Sequence, residues 1–169
     1  MKLTYWEFLG ILVIVGLGIF LHYAYELSDY NQFVALVAPI NESIWEHLKM
    51  PFYGMLGFAL VEYIFVGKEA KNFIFAKAFS SILAAFLVVV LYYGYTSFLD
   101  HQLYLDIIIF VVAIIIAQLF SYALIKSKLF FRGINYIGLI ILFAACMVFS
   151  SYTYEPPKTN EIFTETLAH

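Results

Sequence analysis

Five long apolar stretches constrain this chain more than any other feature. They cover residues 3–25, 50–66, 73–98, 103–125 and 134–152. A helix needs about 20 mostly apolar residues to cross the roughly 30 Å hydrocarbon core of a bilayer, and each stretch meets or approaches that length. A spanning strand would need only about 9–11 residues of alternating polarity, and no such alternation is present. The sequence therefore predicts an all-α polytopic membrane bundle of about five transmembrane helices.

The composition excludes most other classes of protein. The chain has 169 residues, of which 64% are hydrophobic and 12% charged, whereas soluble domains carry about 25% charged residues. A soluble domain, a disordered tail and a nucleic-acid-binding module are excluded, and a single cysteine excludes a disulfide scaffold. The first stretch lacks a small-x-small cleavage pattern after His22, so we interpret it as a retained span. The expected partner is the lipid bilayer.

The basic residues predict an orientation. If the spans alternate, seven of the nine basic residues fall at one end of the bundle: Lys2, Lys68, Lys71, Lys77, Lys126, Lys128 and Arg132. Only Lys49 and Lys158 fall at the other end. The positive-inside rule makes the first end cytoplasmic. We therefore expect the N-terminus inside, a transmembrane domain over residues 1–152 and an extracytoplasmic tail over residues 153–169.

Acids and histidines gather at the opposite, outer end. All four histidines are placed there, with nine of the twelve acids: Glu26, Asp29, Glu42, Glu46, Asp100, Asp106, Glu155, Glu161 and Glu165. With two lysines, this end carries a formal charge of −7. The positive-inside rule does not require such a gathering, because Asp and Glu contribute little to orientation. The outer end is therefore where we look for function.

A short apolar run separates the first two spans. Residues 28–40 contain F-V-A-L-V-A at 33–38, which is too short to span. Such a run is typical of a re-entrant or interfacial segment that covers a cavity between helices. An ordinary amphipathic connection resting in the headgroups is the alternative, and the sequence leaves both open.

The polar run N-E-S-I-W-E-H-L-K at residues 41–49 is the most informative motif. Ser43 and Glu46 match a capping box, so part of this run can serve to start a helix. Glu42 and Glu46 lie one helical turn apart, as do Ser43 and His47. Lys49 is placed to pair with Glu46. The capping interpretation does not account for His47.

The motif leads to a metal-site hypothesis. Neutral imidazole together with carboxylate suits zinc or another divalent metal. We expect His22, Glu42 and His47 to be ligands and Glu46 to be a general base or a supporting residue. Further binding residues at the same level are Glu26, Asn41, Ser43 and His101. A metal-dependent membrane hydrolase acting on a lipid or small molecule at the outer face would use a metal-bound water.

Two other classes of function stay open. Ionisable residues within a bundle mark ion or solute pathways, and Glu62 would extend such a path inward unless its side chain reaches the inner interface instead. Gln118 suits a hydrogen bond to another helix. A non-catalytic membrane interaction protein is the third alternative.

The run at residues 41–49 resembles the signature N-E-S-[IV]-W-E-H-x-K of a family of small, uncharacterised bacterial multi-pass membrane proteins. The L-H-Y-x-Y-E element at 21–26 and the Y-E-P-P element at 154–157 look similar too. After Pro157 this chain lacks the longer ending of that family. The resemblance implies a multi-pass protein of a bacterial plasma (inner) membrane and no settled activity.

A weaker resemblance points to a chemistry. Ser43-x-x-x-His47 is similar to the S-x-x-x-H element of membrane hydrolases of the alkaline-ceramidase and adiponectin-receptor type. Those enzymes depend on a metal, so the resemblance implies a test for zinc. Their later paired H-x-x-x-H is missing from this chain, and they have more spans.

Overall fold

A computed structural model describes residues 2–127, 131, 133–157 and 159–165. Four residues named above for the predicted orientation and the outer histidines lie outside the described part: Lys128, Arg132, Lys158 and His169. Within the described residues the fold is all-helical, without β-strands.

Six α-helices make up the described structure. Their bounds are α1 Lys2–Leu27, α2 Ile44–His47, α3 Lys49–Phe65, α4 Phe73–Thr96, α5 Leu103–Lys126 and α6 Ile134–Tyr154. Short 3-10 turns cover Val34–Leu36, Gly67–Glu69 and Glu161–Phe163. Five helices are long and apolar enough to cross a membrane, with α2 and α3 forming one of them. The prediction of five spans is confirmed.

The long helices form a four-helix ring with one helix outside it. Helix α1 packs against α3 and α5, and α4 packs against the same two, so these four close a ring. Helix α6 packs against α4. Gly138 permits this approach, because a Cβ there would lie 2.7 Å from the Phe75 backbone. Small residues at such contacts let helices come close in a membrane, where hydrophobic attraction between them is lost.

Two ends of the bundle follow from this topology. The site end, as we call it, holds the end of α1, all of α2, the α4–α5 connection and the end of α6. The opposite end holds the start of α1, the end of α3 and the end of α5. An apolar layer that includes Ile14, Met55 and Ile114 is packed between the ends.

The segment before α2 lies at the site end and does not cross the bundle. It contains the 3-10 turn Val34–Leu36, which contacts α1 and α6. The Tyr154 hydroxyl at the end of α6 donates to the Gln32 carbonyl at 2.9 Å. Ala35 and Ala38 are buried while Phe33 is exposed. The segment is therefore packed against the helix ends along one side.

The end of the described chain also returns to the site end. Ser43 forms an isolated antiparallel bridge with Glu165. The Phe163 ring packs on Trp45, with centroids 4.9 Å apart. The two prolines after α6 redirect the chain, as expected of residues that cannot continue a helix. The described tail residues thus cover α2.

Candidate metal centre

Three predicted ligands meet at the site end. His22 near the end of α1, Glu42 just before α2 and His47 within α2 each offer a ligand atom, and these atoms lie within 4.8 Å of one another. The His22 and His47 ring centroids are 5.1 Å apart. The His47 Nε2 atom lies 3.3 Å from Glu42 Oε2. Topology and local sequence therefore bring two helices to one cluster, which we call the His–Glu trio.

The backbone sets the orientation of the His47 ring. Its Nδ1 lies 2.9 Å from the Ser43 carbonyl oxygen, one turn earlier. A carbonyl only accepts, so Nδ1 carries the proton and donates it. In a neutral His47, Nε2 is then a lone pair facing Glu42. Metal-binding histidines almost always show this arrangement, in which the other ring nitrogen donates to a backbone carbonyl or carboxylate.

Two buried polar atoms of the trio lack hydrogen-bond partners within the described residues: His22 Nδ1 and Glu42 Oε2. Glu42 Oε2 is close to His47 Nε2, but the contact does not have hydrogen-bond geometry. Buried polar atoms are nearly always satisfied, so such exceptions call for a proton, a water or an ion. The side chains of His47 and Glu42 retain 17% and 39% exposure, so an ion has access.

Local sequence explains how the trio is positioned. Helix α1 ends in a turn in which Asp29 and Tyr30 adopt left-handed backbone conformations, with φ of 56° and 59°. The predicted binding residues Asn41 and Ser43 then build the start of α2. Asn41 Oδ1 accepts from the Ser43 amide at 3.1 Å, and Ser43 Oγ accepts from the Glu46 amide at 3.3 Å. Both side chains are engaged in the turn before His47.

The capping-box prediction is right for Ser43 and wrong for the reciprocal bond. The Glu46 carboxylate does not accept from the Ser43 amide, which donates to Asn41 Oδ1 instead. It accepts instead from the Ile40 amide at 3.0 Å and from Thr153 Oγ1 of α6 at 3.2 Å. Its closest partner is Lys49 Nζ at 2.6 Å, the salt bridge that the sequence suggested.

Lys49 ties the preceding segment to this ion pair. Its ammonium donates to the carbonyls of Ala35 at 2.8 Å and Ala38 at 3.2 Å. Lys49 is fully buried and Glu46 is 2% exposed. A buried pair needs such additional hydrogen bonds to offset desolvation. Glu46 therefore holds the segment, α2 and α6 together and lies outside the trio.

Two other predicted binding residues also lie outside the trio. Glu26 is exposed at the end of α1. His101 lies in the α4–α5 connection, where its Nε2 is 2.5 Å from Asp106 Oδ2. The Tyr95 hydroxyl donates to the other Asp106 oxygen at 2.5 Å. This second polar group connects the α4 and α5 ends.

An apolar groove lies on the other side of α2 from the trio. It has a volume of about 350 Å³ and lies against α4 and α6, with Trp45, Phe52 and Ala85 among its lining residues. None of the trio residues lines it. Trp45 and His47 are two positions apart on a helix and so point to nearly opposite sides. The groove is therefore separate from the His–Glu trio.

A second polar cluster, at the opposite end, was not predicted as a unit. Lys77 Nζ of α4 lies 2.9 Å from Glu7 Oε2 of α1 and 2.7 Å from Glu62 Oε2 of α3. All three side chains are at most 3% exposed. Lys77 was counted among cytoplasmic charges, and this placement is corrected: it is an internal cation of the bundle. We call these residues the buried ionic network.

Helix α5 completes this network. Ser121 Oγ donates to Glu7 Oε1 at 3.0 Å, and Gln118 Nε2 donates to the Glu7 carbonyl at 3.1 Å. The predicted interhelical role of Gln118 is thus confirmed. Glu62, the residue of the transport alternative, is turned inward and does not reach the interface. The sequence signal for the network was three ionisable residues inside apolar stretches, which is rare without a partner.

Comparison with known proteins gives a family and no activity. No curated protein and no solved structure matches the chain. One family model, described as a family of unknown function (DUF6512), matches residues 1–168. The match covers nearly the whole chain, including both polar clusters. The chain belongs to this DUF6512 family.

Proposed function

We propose that the protein binds one divalent metal ion, with zinc the best chemical match, at His22, Glu42 and His47. The observation that carries this proposal is the distance of 3.3 Å between His47 Nε2 and Glu42 Oε2 without a hydrogen bond. Zinc ligands bind at about 2.0–2.2 Å, so two ligand atoms on one tetrahedral ion lie roughly 3–4 Å apart. The spacing is that of two ligands sharing an ion.

The electrostatics of the trio support a bound cation. The Nε2 lone pair of neutral His47 and the carboxylate of Glu42 repel each other unless a positive charge lies between them. Either a proton on His47 or a metal ion supplies that charge. His22, whose Nδ1 has no partner among the described residues, adds a third donor that a proton on His47 does not use. Two imidazoles and one carboxylate are a set that zinc favours.

Three protein ligands leave one coordination position for water or substrate, as in catalytic zinc sites. This favours a metal-dependent hydrolase as the enzymatic form of the proposal. Of the two roles considered for Glu46, we assign it the supporting one, because its carboxylate is committed to Lys49, Ile40 and Thr153.

Metal content after chelator washing and zinc loading tests the proposal. We expect about one zinc per wild-type chain. For His47→Ala we expect zinc affinity to fall about tenfold or more, because losing a residue that only supports a metal ligand already costs that much. His101→Ala is the matched control, since it removes a histidine from the same end but outside the trio, and should keep wild-type zinc. Equal zinc in wild type and His47→Ala would contradict the proposal.

The proposed site faces the outside of a bacterial plasma membrane. Without Lys77, which lies inside the bundle, six basic residues remain on the predicted inner side and two on the outer side. The positive-inside rule therefore still favours the same orientation. The test uses an impermeant thiol reagent on intact cells in a Cys146→Ala background. We expect labelling of Asp100→Cys and none of Lys68→Cys; the reverse pattern would place the trio inside.

A further inference from the structure

We propose that the buried ionic network holds one exchangeable proton, carried by Glu62. The network contains two carboxylates, Glu7 and Glu62, and one ammonium, Lys77. Its remaining polar members, Gln118 and Ser121 of α5, are neutral. With every group charged, the network would carry one uncompensated negative charge inside the membrane-spanning bundle.

Burial makes that charge expensive. Glu62 is fully buried, and Glu7 and Lys77 are 3% and 2% exposed. An isolated charge in such surroundings takes up or loses a proton rather than stay ionised without compensation. One carboxylate paired with Lys77 and one neutral carboxylic acid give a network without net charge.

The hydrogen bonds indicate which carboxyl holds the proton. Both Glu7 oxygens accept: Oε1 from Ser121 and Oε2 from Lys77. Donors directed at a carboxylate favour its charged form. Glu62 has only the Lys77 ammonium, 2.7 Å from its Oε2, and its Oε1 has no hydrogen-bond partner within the described residues. The proton is therefore placed on Glu62.

Helix α4 also carries an uncommitted buried hydroxyl. Ser80 is fully buried and its Oγ has no partner among the described residues. It lies three residues after Lys77 on α4, and therefore on the same face of that helix. A carboxylic acid donates one hydrogen bond, which a carboxylate does not, and a hydroxyl accepts one. A protonated Glu62 thus has a hydrogen to donate, and the Ser80 hydroxyl has a free acceptor site.

A metal cation fits this network less well than a proton. The Lys77 ammonium already lies between the two carboxylates, and a second cation beside it would be repelled at short range in a medium of low dielectric constant. A proton needs no set of oxygen ligands. Groups of this kind inside membrane bundles mark proton relays, so the network is a proton-binding site independent of the metal centre.

Infrared spectroscopy of the full-length protein in liposomes tests the proposal. At neutral pH we expect a C=O band of a buried carboxylic acid that shifts after exchange into D₂O. The band should vanish in Glu62→Gln, which is neutral and of similar shape, and persist in the matched control Glu26→Gln at the exposed end of α1.

Three results would overturn the proposal. One is the absence of the band from the wild type, and another is its persistence in Glu62→Gln. The third is a band that is absent in sodium chloride and present in choline chloride, because sodium would then neutralise the network. None of these readouts depends on zinc, so failure of this proposal is distinguishable from failure of the metal site.

Discussion

The two polar clusters differ in where their positive charge comes from. Helix α1 carries Glu7 and His22, and α3 with the short α2 carries Glu62 and His47; each pair is 15 residues apart, or about 22 Å along a helix. The buried ionic network contains its own cation, Lys77. The half-buried His–Glu trio has no lysine or arginine among its described members. Lys77 thus compensates one of the two carboxylates of the network, while the trio would take its proposed metal ion from solution.

Burial follows the same division. The network joins four helices, α1, α3, α4 and α5, and its three ionisable side chains are at most 3% exposed. The trio lies at the helix ends, where Glu42 remains partly exposed and an ion can enter. A site that exchanges a ligand with solvent needs that access. Removing charge should therefore affect stability most at the network and metal binding most at the trio.

Lys77→Met gives the largest expected loss of stability. It leaves the two buried carboxyl groups of the network without their cation, and breaking a buried ion pair by removing one partner costs about 3–5 kcal/mol. The free energy of unfolding in detergent is the measurement. Lys68→Met, at an exposed lysine of the α3–α4 connection, should stay within about 0.5 kcal/mol of wild type. Similar values for both variants would contradict the ionic account of the network.

Gly10→Ala should have the next largest effect. A Cβ at Gly10 would lie 2.3 Å from Gln118 Nε2 and 2.5 Å from Phe58, so the added methyl displaces a network member. Overpacking of this kind costs about 1–3 kcal/mol. Gly16→Ala is the control on the same helix, because nothing lies within 4 Å of its Cβ position. Thermal unfolding compares the two variants. A Gly10→Ala protein as stable as Gly16→Ala would contradict the prediction, because Gln118 and Phe58 would then move aside without a cost in stability.

Ser43→Ala should cost about 1 kcal/mol, the usual value for losing a helix N-cap. Ser43 is buried and caps α2, which presents His47. We therefore expect weaker zinc binding as well, measured by titration of zinc into the chelated protein. Ser97→Ala, an exposed serine after α4, is the control and should leave both quantities unchanged. Unaltered zinc affinity in Ser43→Ala would show that the helix cap is not needed to position His47 for zinc binding.

Glu26→Gln should have the smallest effect. Glu26 is one turn from His22 in sequence but exposed and outside the trio, so zinc affinity should not change. Glu42→Gln, the matched variant within the trio, should lower the affinity by at least about tenfold. Zinc titrations of both measure the difference. A tenfold loss in Glu26→Gln would extend the site to a fourth ligand.

The spans and the meeting of the trio could be predicted from the sequence for a simple reason. Length and hydropathy determine where a helix crosses a membrane, and alternating spans determine which residues share an end. Glu42 and His47 are local to each other, and His22 is at the end of the preceding span. Only the position of each residue along the membrane axis matters here, and not how each helix is rotated about its own axis.

To predict the buried ionic network, one would have to know how each helix is rotated about its axis. Lys77 is the fifth residue of α4, close enough to the end that its long side chain was taken as cytoplasmic. Whether it reaches water or turns toward Glu7 depends on which face of α4 meets α1 and α3, and uniformly apolar helices do not reveal that face. The choice between the two roles of Glu46 also needed the fold, because the carbonyls of Ala35 and Ala38 that hold its partner Lys49 belong to the folded segment.

X-ray absorption at the zinc edge of the zinc-loaded protein tests whether His22, Glu42 and His47 bind the metal. We expect a shell of nitrogen and oxygen ligands at about 2.0–2.2 Å, with an imidazole signature from two histidines that falls to one in His22→Ala. A thiolate sulfur ligand at about 2.3 Å would contradict binding at the trio, because only Cys146, the single cysteine of the chain, can supply one. So would a shell of oxygen alone, because the zinc would then be bound elsewhere than at His22 and His47.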